Sequence, residues 1–294
     1  MLNALFFKKL TNRYIWKRIF YERLTEPLHL NLLSVFVAIF GGLRSKVDFD
    51  LVLRQQHAYA LLTVADQAKS LGFAKVTVCE FGVAAGAGLL NIQELAERVT
   101  RLTGIEFDIY GFDTGQGMPA PKSVKDHQEL YQAGDFPMNF EALSRRLANN
   151  CHLILGPLKD SMNAFIVADF SRAPIGFLSV DVDYYSSTVD ALTILGMNPA
   201  NYLPRVMIYL DDVEDPSHNT YCGEQAAIRE HTERHPARPI EKPQFLRGYR
   251  VFKNARWIDH IYQCHVLDHA SRNMLDRNGP KVILANPYLR PDRS

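Results

Sequence analysis

From residue 75 onward, short apolar runs alternate with stretches whose apolar positions recur at helical spacing. Residues 75–81 (KVTVCEF), 107–112, 151–155, 175–182 and 205–210 read as buried strands. Residues 89–102, 140–147, 161–168 and 186–195 read as the helices between them. Five strands separated by helices predict a parallel sheet wound on both faces, which gathers ligands outside the carboxyl ends of its strands. Residues 249–252 and 257–267 read as two further strands. The expected fold class is therefore α/β, a doubly wound, mostly parallel seven-stranded sheet over 73–270.

Residues 1–72 follow a different pattern and predict a helical extension. From Asp48, the apolar stripe Leu51, Ala58, Leu61, Leu62, Ala65 and Ala68 forms one helix face, and Gly72 supplies its stop. His57 and Tyr59 lie on this helix, where a single histidine reads as a satisfied core or surface residue. The apolar stretch 30–43 carries Leu32, Leu33, Phe36, Val37 and Phe40 at helical spacing. Its 14 residues fall short of a membrane span, which needs about 20, and Glu22, Glu26 and Pro27 ahead of it do not suit a secretory signal. A buried or docking helix is expected there. Residues 271–294 read as a polar tail.

Charge changes the picture only when read locally. The net charge is +1, which argues against a generally basic nucleic-acid binder. Residues 1–25 nevertheless carry Lys8, Lys9, Arg13, Lys17, Arg18 and Arg23 against Glu22 alone, with Phe6, Phe7, Trp16 and Phe20 among them. Such an arm suits its own domain or a second subunit in a homo-oligomer, with an anionic membrane surface as the alternative. Cys79, Cys151, Cys222 and Cys264 form no metal-binding or disulfide spacing, and buried thiols in a reducing cytoplasm are expected.

The chemistry-bearing residues fall at strand ends. The first strand runs into CEFGVAAGAG, with Gly82, Gly86 and Gly88 spaced G-x-x-x-G-x-G and Glu80 two residues ahead. Glycines there let the main chain turn sharply and approach a ligand closely. The absence of a following Gly-Lys-Ser/Thr excludes a phosphate-binding Walker loop. The second strand ends at Asp113, placed to accept hydrogen bonds from adenosine ribose hydroxyls. The fourth strand ends in Asp181 and Asp183 and the fifth in Asp211 and Asp212. Neighbouring parallel strands would bring the four carboxylates to one rim, and oxygen-only donors without His or Cys favour Mg²⁺. Helix capping explains one such aspartate but not pairs at two strand ends. The long polar segment 114–138 reads as a lid, with Asp126, His127, Tyr131 and Asp135 as acceptor contacts. Glu224 opens a later helix as a first-turn carboxylate.

The glycine signature and Asp113 resemble those of class I S-adenosylmethionine-dependent methyltransferases. The two acidic runs are similar to those of the macrocin O-methyltransferase-like family, which carries an Asp-Gly-Asp run continuing into Tyr-x-Ser-Thr and a later Asp-Asp pair. Val182 departs from that pattern, as does Asn201-Tyr-Leu-Pro-Arg before the fifth strand. The resemblance covers 75–213 and implies a Rossmann-like methyltransferase fold with S-adenosylmethionine and Mg²⁺ as cofactors. It implies Glu80, Gly82, Gly86, Gly88 and Asp113 at the cofactor, with Asp160 and Ser161 following the third strand toward the adenine. Asp181, Asp211 and Asp212 are implied as metal ligands and Asp183 as general base, with His218 as second choice. The acceptor implied is a hydroxyl of a sugar, polyol or other small molecule. A protein or RNA acceptor docked by the basic arm, and a non-catalytic adenosine-binding scaffold, are the other classes.

Overall fold

The computed structural model describes residues 19–214 and 219–273. Its centre is the strand pair β1 (Lys75–Phe81) and β4 (Ile175–Val180). Every residue of β4 is buried, as a largely apolar run requires, because neither face can be left to water; its one polar side chain, Ser179, faces His57 in the core. Outward lie β2 (Glu106–Asp113) and β3 (Cys151–Leu155) on one side, with β5 (Tyr202–Leu210) on the other. The full order is β3-β2-β1-β4-β5-β7-β6, where β6 is Ile240–Glu241 and β7 is Ile261–His265. β1 to β5 run parallel, and β7 is antiparallel to both its neighbours. The chain turns outward in opposite directions from β1 and β4, so the crevice between their carboxyl ends is the topological switch point.

Alternating side chains divide the core into two layers. On one face Val76, Val78, Ile109, Phe177 and Met207 pack with the helices Gln55–Ser70 and Ala87–Thr103. On the other, Phe81, Phe112, Leu178, Val180 and Ile208 pack with Leu158–Phe165, Tyr185–Leu192 and Gly223–Arg234.

Several expected elements differ. Residues 249–252 form no strand: Tyr249 closes the one-turn helix Leu246–Tyr249, and Arg250 turns inward to Asp50 at 3.0 Å. The expected strand 257–267 shortens to Ile261–His265 behind a 3-10 turn, Arg256–His260. Its outer partner is Ile240–Glu241, a dipeptide between Pro239 and Pro243 too short to carry a period. The helix expected from Asp48 begins only at Gln55 and runs to Ser70, while a separate short helix, Leu43–Asp48, ends where it was expected to start. Asp50 and Arg54 hold left-handed backbone between them, which a continuous helix cannot contain. The helix expected at 161–168 is Leu158–Phe165, beginning directly after Pro157, and that expected at 140–147 stops at Ser144.

The largest difference is at the apolar stretch. It forms the helix Leu28–Phe40, but only Ser34 and Val37 of it are buried. Leu32, Leu33, Phe36 and Phe40, expected in contact, are exposed. No helix of the described residues is long and apolar enough to cross a membrane.

Candidate active site

One cavity of about 1110 Å³ opens at the carboxyl ends of the central strands. Glu80, Gly82, Gly88, Asp113, Asp181, Asp183, Asp211 and Asp212 all line it. Gly86, Asp160 and Ser161 do not. Gly86 caps the helix Ala87–Thr103 with φ 84° and faces Leu143. Asp160 and Ser161 lie in the first turn of Leu158–Phe165, whose leading residues Gly156, Pro157 and Leu158 reach the cavity instead. His218 lies outside the described residues.

Gly82 is required by close approach of backbone, and Gly88 by the present placing of the Glu80 carboxylate. A Cβ on Gly82 would stand 1.7 Å from the Asp181 carbonyl oxygen, and one on Gly88 would stand 2.0 Å from Glu80 Oε1. Gly82 also holds φ 83°. Thus the glycine turn after β1 leaves room both for the backbone entering the acidic run of β4 and for the Glu80 carboxylate.

Asp113 builds that turn. Its Oδ2 accepts from the amides of Val83 at 2.9 Å and Ala84 at 2.8 Å, and its Oδ1 accepts from Gly115 at 2.7 Å. A carboxylate offers about four acceptor positions, so about one remains for a ligand hydroxyl. The pair of ribose hydroxyls expected at Asp113 therefore finds one position there in this arrangement.

Of the acidic residues Glu80 and Glu224 are buried, Asp113, Asp181, Asp183 and Asp212 are half-buried, and Asp211 is exposed. Glu80 is 2% exposed and its Oε2 has no hydrogen-bond partner. Burial, then the charges of Asp181 and Asp113, push its carboxyl well above the usual range, while Arg54 acts the other way. Asp181 is likewise raised, first by burial and then by Asp211, Asp212 and Asp183. Glu224 is fully buried; its Oε2 accepts from the Asp212 amide at 2.9 Å and its Oε1 has no partner. Burial and Asp212 raise it as well. Asp183 holds a left-handed backbone, φ 57°, rare for a residue with a side chain and concentrated at functional positions. Burial raises its carboxyl, and a hydrogen bond from Tyr131 opposes the rise.

In kind, this donor set suits a hard cation: oxygen-only, gathered at one rim and, at Asp181, mutually repelling. Its side chains are not drawn into a coordination shell, for no group of three or more His, Cys, Asp or Glu among the described residues is arranged to hold a metal ion. The Tyr209 hydroxyl donates to Asp211 Oδ1. For an adenosine cofactor, the glycine cradle and the unpartnered Glu80 oxygen on the cavity wall supply main-chain approach and a buried acceptor.

The segment 114–138 does close over the cavity, through Thr114, Gly117, Met118, Tyr131 and Phe136 among others. Asp126, expected as an acceptor contact, is instead its anchor. It accepts from the Lys122, Ser123 and Ser186 amides and from the Ser186 hydroxyl, tying the lid to the helix Tyr185–Leu192. His127 pairs with Glu129, and Asp135 accepts from the Gln132 amide.

Arg54 and Lys122 line the cavity and are the residues local pattern missed. Arg54 caps the helix Gln55–Ser70 from a left-handed conformation, although a cation at a helix N-terminus opposes the dipole. The sequence carried no such signal, because the helix expected from Asp48 places Arg54 in its interior. His57 lies in the core beneath: Nδ1 faces Asn91 Oδ1 at 3.1 Å and Nε2 faces Ser179 Oγ at 3.4 Å. Burial and Arg54 push it down to about 3, so it is neutral and structural.

No family model and no curated protein matches the chain. Among solved structures it is similar to CalS11, a calicheamicin methyltransferase, at 16% identity and TM-score 0.49, covering 81% of this chain and 91% of that one. It is also similar to the O-methyltransferase NovP, at 15% identity and TM-score 0.48, covering 72% and 79%. A Mg-SAM structure of CmcI follows at 14% identity and TM-score 0.39, covering 69% and 70%. What identifies the architecture is the chain's own strand order, its reversed seventh strand and the switch-point cavity: the chain has the Rossmann-like methyltransferase fold.

Proposed function

We propose that this chain is an S-adenosylmethionine-dependent, divalent-cation-assisted O-methyltransferase acting on a hydroxyl of a sugar, polyol or related small molecule. One observation carries the reading. A single cavity holds the glycine turn with Glu80 and Asp113 on one side, and the strand-end aspartates with the Tyr131-bonded Asp183 on the other.

S-adenosylmethionine supplies an electrophilic methyl group on a sulfonium. The chain has to bind it, orient an acceptor oxygen in line and remove that oxygen's proton. The turn from Gly82 to Gly88 provides main-chain approach, and Glu80 and Asp113 provide acceptors for its polar groups. Asp181, Asp211 and Asp212 would hold the cation, which supplies positive charge beside the acceptor hydroxyl and offsets their mutual repulsion. Asp183 is the general base: burial raises its basicity toward neutrality, where a base is most effective. Tyr131, donating to Asp183 from the lid, orients that carboxylate and couples closure to catalysis. The lid excludes water from the transfer.

Calorimetry with S-adenosylhomocysteine and Mg²⁺, together with methyl-transfer assays on a panel of vicinal diols, tests the reading. The product should bind, Mg²⁺ should stabilise the protein, and Asp181→Asn should abolish turnover while sparing product affinity. Absence of S-adenosylhomocysteine binding refutes the cofactor, and unchanged activity after exhaustive chelation refutes the cation.

A further inference from the structure

The helix Leu28–Phe40 is built inside out. Its thirteen residues, LHLNLLSVFVAIF, include no charged Asp, Glu, Lys or Arg. The stripe it turns to the protein contains Asn31, Ser34 and Val37, the last two buried. Leu28, Leu32, Val35, Phe36, Ile39 and Phe40 face solvent, with Phe36 59% and Phe40 71% exposed. A helix that merely covers its own domain does the reverse.

Polar contacts accompany this orientation: Asn31 ties the helix to the segment before it, and Ser34 is satisfied within the helix. Asn31 Nδ2 donates to the Arg23 carbonyl at 2.8 Å, and the Ser34 hydroxyl donates to the Asn31 carbonyl at 2.6 Å. Ahead of the helix, Arg23 donates to the carbonyls of Phe49 and Asp50 and stacks 3.6 Å from the Phe252 ring centroid. The Asn254 amide donates to Glu26 Oε1 at 2.6 Å. Tyr21 and Leu24, ahead of the helix, are exposed as well.

What covers this face is indicated by the sequence beside it. Residues 1–21 contain Lys8, Lys9, Arg13, Lys17 and Arg18, no acidic residue, and Phe6, Phe7, Tyr14, Trp16 and Phe20. Basic and aromatic residues adjoining an uncharged apolar helix complement an anionic lipid surface: apolar side chains enter the acyl boundary and the cations meet the headgroups. At about 1.5 Å per residue the helix is about 20 Å long, too short to cross a core of about 30 Å and suited to lying in the interface. In a two-fold contact with a second copy, the like-charged segments beside the helix would be brought together, which disfavours that occupant. We infer that the helix Leu28–Phe40, assisted by the basic segment before it, docks this protein in-plane on membranes carrying anionic phospholipid. The inference is independent of the proposed reaction.

Flotation of the full chain with vesicles of phosphatidylcholine alone, and of phosphatidylcholine with phosphatidylglycerol, tests it. The chain should float with the anionic vesicles, and high salt should weaken the association. The triple variant Phe36→Asp, Ile39→Asp, Phe40→Asp changes only exposed positions. It should lose about tenfold or more of vesicle affinity while keeping the melting temperature and near-ultraviolet circular dichroism of the parent. Lys17→Glu with Arg18→Glu should remove the preference for anionic vesicles. Equal flotation of the triple variant and the parent overturns the assignment to this helix. A parent chain that stays unbound at both compositions overturns membrane docking. So does a concentration-dependent dimer in velocity sedimentation that the triple variant abolishes without any flotation of the parent, which would assign the face to a second copy.

Discussion

The rim of the sheet and the helix Leu28–Phe40 break the ordinary partition of residues in opposite directions. At the rim, burial raises the carboxyls of Glu80, Asp181 and Glu224, the charge of Asp181 adds to the rise of both glutamates, and Glu80 and Glu224 each keep an unpartnered oxygen. At the helix, large apolar side chains stand in solvent while a serine is buried beneath them. Neither arrangement contributes to folding. Burying charge beside like charge costs free energy, and an extended apolar surface is seldom left bare on a monomer. The lesson is that each region is completed by something outside the polypeptide: positive charge and cofactor at the rim, an apolar medium at the helix. The Arg250–Asp50 pair is the internal control. It is buried too, but the Arg250 guanidinium meets its counter-ion and also donates to the carbonyls of Val47 and Asp48, so that, Nε apart, its charge is met by the fold itself.

The comparison is broken most severely by removing the base. Asp183→Asn should lower turnover about 10²–10⁴-fold with S-adenosylhomocysteine affinity retained, measured by single-turnover kinetics and calorimetry. Asparagine tolerates the left-handed backbone at φ 57°, so the melting temperature without added cation should not fall. A large fall would mean that Asp183 serves the fold instead of the reaction.

Cutting the satisfied pair should do the opposite, costing stability with no direct role in chemistry. Arg250→Ala removes the ion pair to Asp50 together with the bonds to the Val47 and Asp48 carbonyls, and should destabilise by about 3–5 kcal/mol in urea unfolding. A loss below about 1 kcal/mol would erase the distinction between the two kinds of buried charge.

A third test uses acid. Burial lowers His231 to about 4 and His57 to about 3, below the ordinary value of 6.5. Each folded-state pKa is depressed, so the unfolded chain takes up protons the folded chain refuses. Stability is therefore complete above about pH 6.5 and falls as pH drops toward 4. His231→Gln should flatten that limb, by at most about 3 kcal/mol for this residue. An acid limb unchanged by the substitution would show that His231 does not couple folding to protons.

The smallest effect is expected at the exposed helix. In buffer without lipid, Phe36→Asp should alter stability by no more than about 0.5 kcal/mol, since its side chain leans on nothing the fold needs. Val37→Asp, one residue on and buried, should cost several times more. Equal costs would mean that the inside-out orientation is wrong.

Much of the sheet was legible because its signal is local. β1 stands at the residues its apolar run predicts, and β4 needs both faces covered, which a hexapeptide apolar at all but Ser179 already states. The strand-end acids were legible because carboxylates following apolar runs have few structural explanations. Ile240–Glu241 was not, since two residues carry no period and their pairing with β7 is decided by a turn between prolines. Arg54 was silent, and Asp126 was misassigned because its four hydrogen bonds reach as far as Ser186, sixty positions away.

The sequence alone determined the alternation of strands and helices, the glycine turn, the run of strand-end carboxylates and the uncharged apolar stretch. These follow from side-chain chemistry and from spacing along a few turns of chain. Only the tertiary structure decided that Gly82 makes room for the Asp181 backbone, that Asp113 spends most of its acceptors on the turn itself, that Arg54 enters an acidic cavity, and which face of Leu28–Phe40 is turned outward. The physical reason is the same in each case. Periodicity fixes which residues share a face, but which face meets which partner depends on contacts between residues far apart in the chain, and those exist only once the sheet has closed.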